Sequence, residues 1–207
     1  MNFAFFFSKQ LRHPRGWLGA ILASVMNREN AGINRLTLAE MQIEAGHHVM
    51  EIGFGGAALL EQIVTCAAQG AVAGVEMSET LLKKARLNPS LRFAILRAGT
   101  IESLPFADAS FDRVCTVNTI YFWSDQTQAM REVLRVLKPG GRFTIGFHTE
   151  ADLRKTGVSE SVFRFHDAEA VESLFSAHGF VSISRTNGRN AGREFICISG
   201  HRNPTIP

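Results

Sequence analysis

The sequence predicts an α/β protein: a seven-stranded mixed sheet with helices on both faces, closed by an antiparallel C-terminal hairpin and preceded by a helical cap. Three observations lead there. From residue 47 onward, apolar runs of strand length alternate with segments of helical periodicity. The first run empties into the glycine-rich turn Glu51-Ile-Gly53-Phe-Gly55-Gly56-Ala57, which feeds an apolar helical segment. The last two runs are separated only by Asn187-Gly188-Arg189-Asn190-Ala191-Gly192, too short for a crossover helix, so they pair antiparallel. Repeated strand–helix units make the rest of the sheet parallel.

Taken in order, His47 to Gly53 is the first strand and Gly56 to Ala68 the helix after it. Ala71 to Met77 is the second strand. Ser78 is placed to cap the next helix, which runs to about Leu87 and stops at Asn88-Pro89. Leu91 to Ala98 and Phe111 to Asn118 are the third and fourth strands. A helix from Asp125 to Leu137 ends at Lys138-Pro139-Gly140-Gly141, and Arg142 to His148 is the fifth strand. Asp167 to His178 is a helix closed by Gly179, and Val181 to Arg185 pairs with Glu194 to Ser199. Ahead of the sheet, Trp17 to Met26 and Asn30 to Met41 read as helices. Residues 1–46 therefore form a helical cap or lid segment, and 47–207 one compact domain. Sequence placed before the first strand either caps the ligand end or packs on the outer face of the sheet.

Composition bounds the function. Of the 207 residues, 45% are hydrophobic and 20% charged, as in ordinary globular proteins, and a formal charge of +3 with no concentrated basic patch argues against nucleic acid. Cys66, Cys115 and Cys197 are scattered without a metal-type pair. They read as buried free thiols in a cytoplasmic protein with no metal site. Met1 to Phe7 carries four phenylalanines but lacks a basic leader, and Ser8 interrupts the run, so it is neither a signal peptide nor a membrane span.

A strand, a glycine turn and a helix N-terminus in succession form a nucleotide-binding device: small residues let a ligand approach the backbone, and helix-start N–H groups favour its polar groups. Glu76 falls about 20 residues past the turn, where a carboxylate can accept both hydroxyls of a ribose. These features alone suit a dinucleotide or S-adenosylmethionine equally well.

Four segments settle the resemblance. Val49-Met-Glu-Ile-Gly-Phe-Gly55, Gly74-Val-Glu-Met-Ser78, Gly99-Thr-Ile-Glu-Ser-Leu-Pro-Phe-Ala-Asp-Ala-Ser-Phe-Asp112 and Glu132-Val-Leu-Arg-Val-Leu-Lys-Pro-Gly-Gly141 occur in this order and spacing. Together they resemble the class I S-adenosylmethionine-dependent methyltransferases of Rossmann-like fold, in particular the UbiE-like, type 11 group. The resemblance implies S-adenosyl-L-methionine as cofactor. It implies contacts to it from Glu51, Gly53, Phe54, Gly55 and Ala57 in the first motif, and from Glu76 and Met77 in the second. Thr100, Ile101 and Asn118 complete the set. Two positions depart from the family pattern: Ala57 stands where a third glycine is usual, and Thr100 where an aspartate commonly meets adenine.

Methyl transfer from a sulfonium is an in-line displacement, so positioning supplies most of the acceleration, roughly 7–11 kcal/mol for well-oriented reactants. A base is needed only when the acceptor must lose a proton. Asn118-Thr-Ile-Tyr121-Phe-Trp123 leaves the fourth strand where the resemblance puts the transferable methyl. Amine and amide methylating enzymes carry Asn/Asp-Pro-Pro-Tyr there, and Thr119 and Ile120 replace both prolines. Tyr121 and Trp123 either contact the substrate or pack the loop, and His148 is the best-placed candidate base; His166 is less well placed. His13 and Trp17, among Arg12 and Arg15, are candidates for closing over a substrate. The expected substrate is a small molecule, with a lipid or quinone as one form and peripheral membrane contact through the Phe-rich start. Two other readings stay open: a cofactor-binding domain that acts through a partner, and an NAD(P)-dependent oxidoreductase fitting Gly53-x-Gly55-x-x-Ala58. The second lacks a Tyr-x-x-x-Lys pair, and no G-x-S-x-G elbow supports a hydrolase.

Overall fold

The structure, a computed structural model, describes residues 29–205 except Glu160. The expected helix over 17–26 and the Phe-rich start lie outside the described residues. Among those described, the chain runs α1 (Ala31–Glu40), β1 (Val49–Ile52), α2 (Ala58–Cys66), β2 (Val72–Glu76), α3 (Glu79–Arg86), β3 (Ile95–Ala98) and β4 (Phe111–Val117). It continues through α4 (Gln126–Val136), β5 (Leu137–His148), α5 (Glu150–Lys155), α6 (Ala168–Ala177), β6 (Phe180–Asn190) and β7 (Arg193–Arg202). The seven strands form one sheet in the order β3-β2-β1-β4-β5-β7-β6. All pairs from β3 to β5 are parallel; β7 runs antiparallel to both β5 and β6. The expected Rossmann-like mixed sheet is the observed one.

Ser78 caps its helix as expected, and two aspartates do the same elsewhere. Ser78, Asp125 and Asp167 each accept a backbone N–H three residues on, starting α3, α4 and α6. Two cores flank the sheet. On one face, Met130, Val133 and Val136 of α4 and Val171 and Phe175 of α6 pack against Val114, Phe143 and Ile145. On the other, Leu60 and Ile63 of α2 and Leu82 and Ala85 of α3 cover Val49, Val72 and Cys115. The third and fourth motif segments hold each other. Glu132 accepts the Leu104 N–H at 2.8 Å, while Arg135 donates to the carbonyls of Leu104 and Phe106 and to Asp108.

Several boundaries differ from the sequence reading. Asn88 accepts the Ser90 N–H and starts a 3₁₀ turn over Pro89–Leu91, so the third strand begins at Ile95. The strand after α4 begins at Leu137, because the Lys-Pro-Gly-Gly segment is absorbed into β5 through a register shift opposite Phe111 and Arg113. The hairpin turn is only Ala191-Gly192, both at positive φ (49° and 80°), as a two-residue type I′ connection requires. Gly188 belongs to the strand instead: a Cβ there would sit 2.1 Å from the Phe195 ring. Helix α5 was not anticipated. Cys66 is a correction too, since it ends α2 on the solvent side and is exposed, while Cys115 and Cys197 are buried.

Helix α1 packs across β5, β6 and β7. Thr37 Oγ1 lies 3.3 Å from Cys197 Sγ, and Glu40 takes hydrogen bonds from Arg142 and Thr186. The approach is close because β5 carries Gly146, where a Cβ would fall 2.5 Å from Thr37 Oγ1 and 3.1 Å from Ile33. Gly146→Val should therefore lift α1 from the sheet and lower unfolding stability by about 1–3 kcal/mol, the usual cost of overpacking, measured as a shift in urea midpoint.

Candidate active site

Chain reversal after β1 builds the first half of the site. Gly53 and Gly55 adopt positive φ (71° and 52°), and the two are glycine for different reasons. A Cβ on Gly53 would lie 2.6 Å from Thr119 Cγ2, whereas a Cβ on Gly55 would meet nothing within 4 Å. The first is a packing constraint; the second leaves open space above the turn. The buried Phe54 ring points down onto β2, where a Cβ on Gly74 would be 2.7 Å from it. Ala57, at the N-cap of α2, is also left-handed (φ 67°) and offers no side-chain cap. That conformation costs a non-glycine residue about 1–2 kcal/mol, which explains why a third glycine is usual there.

Two buried carboxylates stand beside this turn. Glu76 ends β2, 5% exposed, and accepts N–H groups from Gly55 at 2.9 Å and Ser78 at 2.8 Å. Burial raises its pKa against the lowering effect of those bonds. Glu51, 3% exposed on β1 between Gly74 and Cys115, has an Oε2 with no hydrogen-bond partner. Burial, and then the charge of Glu76, pushes its carboxyl up to about 8. An orphaned buried acceptor next to an open glycine turn is complementary to a ligand rich in donors and positive charge. S-adenosylmethionine, with its ammonium, sulfonium and ribose hydroxyls, has that chemistry, so the residues present fit it. Met77, next to Glu76, is an exposed apolar side chain, and Ile101, after β3, is buried. Thr100 pairs with Ser103 in an isolated bridge, and Glu102 ties this loop to Ser124 through bonds of 2.8 and 3.0 Å.

The second half forms at the ends of β4 and β5. Asn118 is left-handed (φ 57°) and leads into a 3₁₀ turn, Ile120–Phe122. Its side chain donates to Asn30 Oδ1 at 3.1 Å, so the start of α1 reaches the carboxyl end of the sheet. Tyr121 is 2% exposed. Its hydroxyl accepts the His148 N–H at 2.6 Å and lies 3.1 Å from Asn118 Oδ1, and burial raises its pKa well above the usual phenol range. Trp123 is equally buried, with Nε1 donating to Thr119 Oγ1 at 3.0 Å; Thr119 in turn bonds Thr116 at 2.6 Å. Both rings thus pack the loop, Tyr121 against Phe122 and Phe163. His148 is buried, its Nδ1 3.0 Å from the Glu194 carbonyl and 3.1 Å from Asp152 Oδ2. Burial, then the charge of Arg193, holds its pKa below the ordinary 6.5. His166 instead lies 3.4 Å from Gln126. Trp17 and His13 lie outside the described residues.

Sequence reading missed Asn30, Asp152 and Arg193. A signal existed for one of them. Thr149-Glu-Ala-Asp152 is a Ser/Thr-x-x-acid helix start, and Thr149 does accept the Asp152 N–H at 3.2 Å. The other two arrive from distant segments.

Comparison with known proteins identifies the family and the fold. The profile of the methyltransferase domain family matches residues 50–145. The uncharacterized methyltransferase YdaC of Bacillus subtilis is 31% identical over 125 residues, covering 60% of this chain and 69% of YdaC. Demethylmenaquinone methyltransferase of Desulfitobacterium hafniense is 34% identical over 115 residues, 53% of this chain and 46% of that protein, so the match spans about half of it. The crystal structure of a SAM-dependent methyltransferase from Aquifex aeolicus shares the fold, with a TM-score of 0.70 at 16% identity over 94% of this chain and 96% of that one. Fold and glycine-turn site together define a class I methyltransferase. The chain belongs to the type 11, UbiE-like methyltransferase family, and is an enzyme whose cofactor is S-adenosyl-L-methionine.

The raised Glu51 carboxyl has a consequence for stability. Folding favours its protonated form, so its stabilisation is complete below the unfolded value of 4.5 and is lost as pH rises toward about 8. Between pH of about 5 and about 8, the ligand-free wild type should lose at least ~1 kcal/mol relative to Glu51→Gln, the worth of one pKa unit, in urea titrations of both proteins.

Proposed function

We propose that this enzyme methylates a small-molecule acceptor held between the glycine turn and the ends of β4 and β5. The observation that carries the reading is the Asn30–Asn118–Tyr121–His148 chain of hydrogen bonds. It sets Asn30, at the start of α1, beside the ends of β4 and β5, and an acceptor side bordered by a helix start suits a small molecule better than a polymer. Net charge of +3 without a basic patch points the same way. A lipid or quinone is the acceptor form we favour, supported by the name of the Desulfitobacterium relative. The Phe-rich start followed by Lys9, Arg12 and Arg15 would then touch a membrane surface from the cytoplasmic side. Among the described residues, no helix is long and apolar enough to cross a membrane.

When bound, S-adenosylmethionine supplies an electrophilic methyl group. In this proposal Glu51 takes the amino-acid ammonium, and Glu76 and Met77 the ribose and its surroundings. Gly53, Phe54, Gly55 and Ala57 form the backbone cradle, and Thr100, Ile101 and Asn118 complete the enclosure. His148 is the base. Tyr121 contributes through its bonds to Asn118 and His148, Trp123 by fixing the loop through Thr119, and Trp17 from a cap formed by residues 1–46. The bond from Asn118 to Asn30, within that segment, supports the placement of that cap.

Calorimetric titration with S-adenosylhomocysteine tests the cofactor site. Wild type should bind in the micromolar range. Gly55→Val, whose side chain enters open space, should bind at least ~10-fold more weakly, the effect of about 1.4 kcal/mol. Unchanged affinity in Gly55→Val would remove the turn from the cofactor site. The acceptor reading has its own test: co-sedimentation with anionic liposomes should disappear when residues 1–16 are deleted, and retained binding would sink the membrane contact.

A further inference from the structure

We propose that Asp152, backed by Arg193, is a positioning residue that holds His148 with its proton on Nδ1 and leaves Nε2 as the proton acceptor, so that the methyl acceptor is a hydroxyl still protonated at neutral pH. This rests on His148 being the base, and it narrows the acceptor to a lipid or reduced quinone that carries a hydroxyl. Two groups face Nδ1, the Glu194 carbonyl at 3.0 Å and Asp152 Oδ2 at 3.1 Å. A carbonyl only accepts, so Nδ1 must donate, and the neutral ring carries its lone pair on Nε2. Nε2 makes no hydrogen bond to the described residues.

The carboxylate cannot turn away. Asp152 is fully buried; Arg193 Nε donates to Oδ2 at 2.6 Å and the Glu194 N–H to Oδ1 at 3.2 Å. Its backbone N–H is tied to Thr149 at the start of α5. The imidazole is also set edge-on against Phe195, with centroids 5.9 Å apart at 84°. Arg193 comes from β7 and approaches Glu29, ahead of α1, at 3.8 Å. The Tyr121 hydroxyl holds the His148 backbone from β4's side. Among the described residues, the charges facing the ring are thus Asp152, Arg193 and, beyond it, Glu29.

This arrangement serves one task. Burial, then the positive charge of Arg193, holds the pKa of the imidazole below the ordinary 6.5, which favours its neutral form. When the acceptor oxygen bonds to the methyl carbon, the carbon–sulfur electron pair leaves with sulfur as a neutral thioether, and the hydroxyl proton passes to Nε2. The imidazolium so formed has the Asp152 carboxylate on its far nitrogen, which stabilises it and fixes its orientation. A carboxylate or thioether acceptor would need none of this.

Long-range ¹H–¹⁵N spectra of the full chain labelled with ¹⁵N-histidine test the proposal, with and without S-adenosylhomocysteine. In wild type above the ring's titration, His148 should show a protonated Nδ1 and a bare Nε2; a proton on Nε2 would overturn the proposal. Asp152→Asn should lower the His148 midpoint by about one pH unit or more. An unchanged midpoint would overturn it equally. Should that variant fail to fold, Arg193→Gln supplies the opposite shift, a raised midpoint, and no rise would count against the proposal. Binding of S-adenosylhomocysteine should stay within about twofold in both variants. Loss of that binding in wild type would sink the cofactor reading while leaving the tautomer result intact, so the two failures are distinguishable.

Discussion

The Glu76 carboxylate receives one backbone N–H from the glycine turn after β1 and another from the cap of α3, at 2.9 and 2.8 Å. Those two bonds hold the carboxyl ends of β1 and β2 in one geometry. Charge-assisted bonds of this kind are about twice as strong as neutral ones, and here they offset part of the desolvation of a side chain only 5% exposed. With the turn closed on Glu76, Gly53 is pressed against Thr119, and Thr119 is pressed against Thr116 and Trp123. The end of β4 is therefore positioned from the end of β1, and the end of β5 from β4 through Tyr121.

A price is visible in the ligand-free protein. Glu51 keeps an unpartnered carboxylate oxygen inside the fold, beside the like charge of Glu76. A site assembled purely for stability would not leave a buried acceptor orphaned, because that desolvation is recovered only when a donor arrives. Ala57 adds a smaller strain of the same kind, a left-handed residue with a Cβ at a helix start. Such local conflicts concentrate where function competes with folding.

The acceptor side is organised differently. No single turn builds it. Asn30 from the start of α1, Asn118 and Tyr121 after β4, His148 at the end of β5, Asp152 on α5 and Arg193 at the start of β7 converge there. They meet because β7 inserts antiparallel beside β5, which brings Phe195 into register with His148. A chain that ended in one more parallel unit would place a helix where Arg193 and Glu194 now stand.

The sequence by itself determined what depends on local spacing. Alternating apolar runs, the Ser78 cap, the glycine turn and the distance from it to Glu76 are short-range properties, and they yield the α/β class and the family. Its errors were local as well: the third strand begins at Ile95 rather than Leu91, the fifth at Leu137 rather than Arg142, and residues 187–190 belong to β6 rather than to the turn. There a register shift or the bulk of Phe195 decided otherwise. Only the tertiary structure decided that Tyr121 and Trp123 are packed inside rather than presented, that Glu51 is orphaned, and that His148 has Asp152 and Arg193 as partners. The reason is physical. Burial, the partner of a side chain and the state of its proton are set by atoms far along the chain, 46 residues away between His148 and Glu194 and 88 between Asn118 and Asn30, and sheet order brings those atoms together.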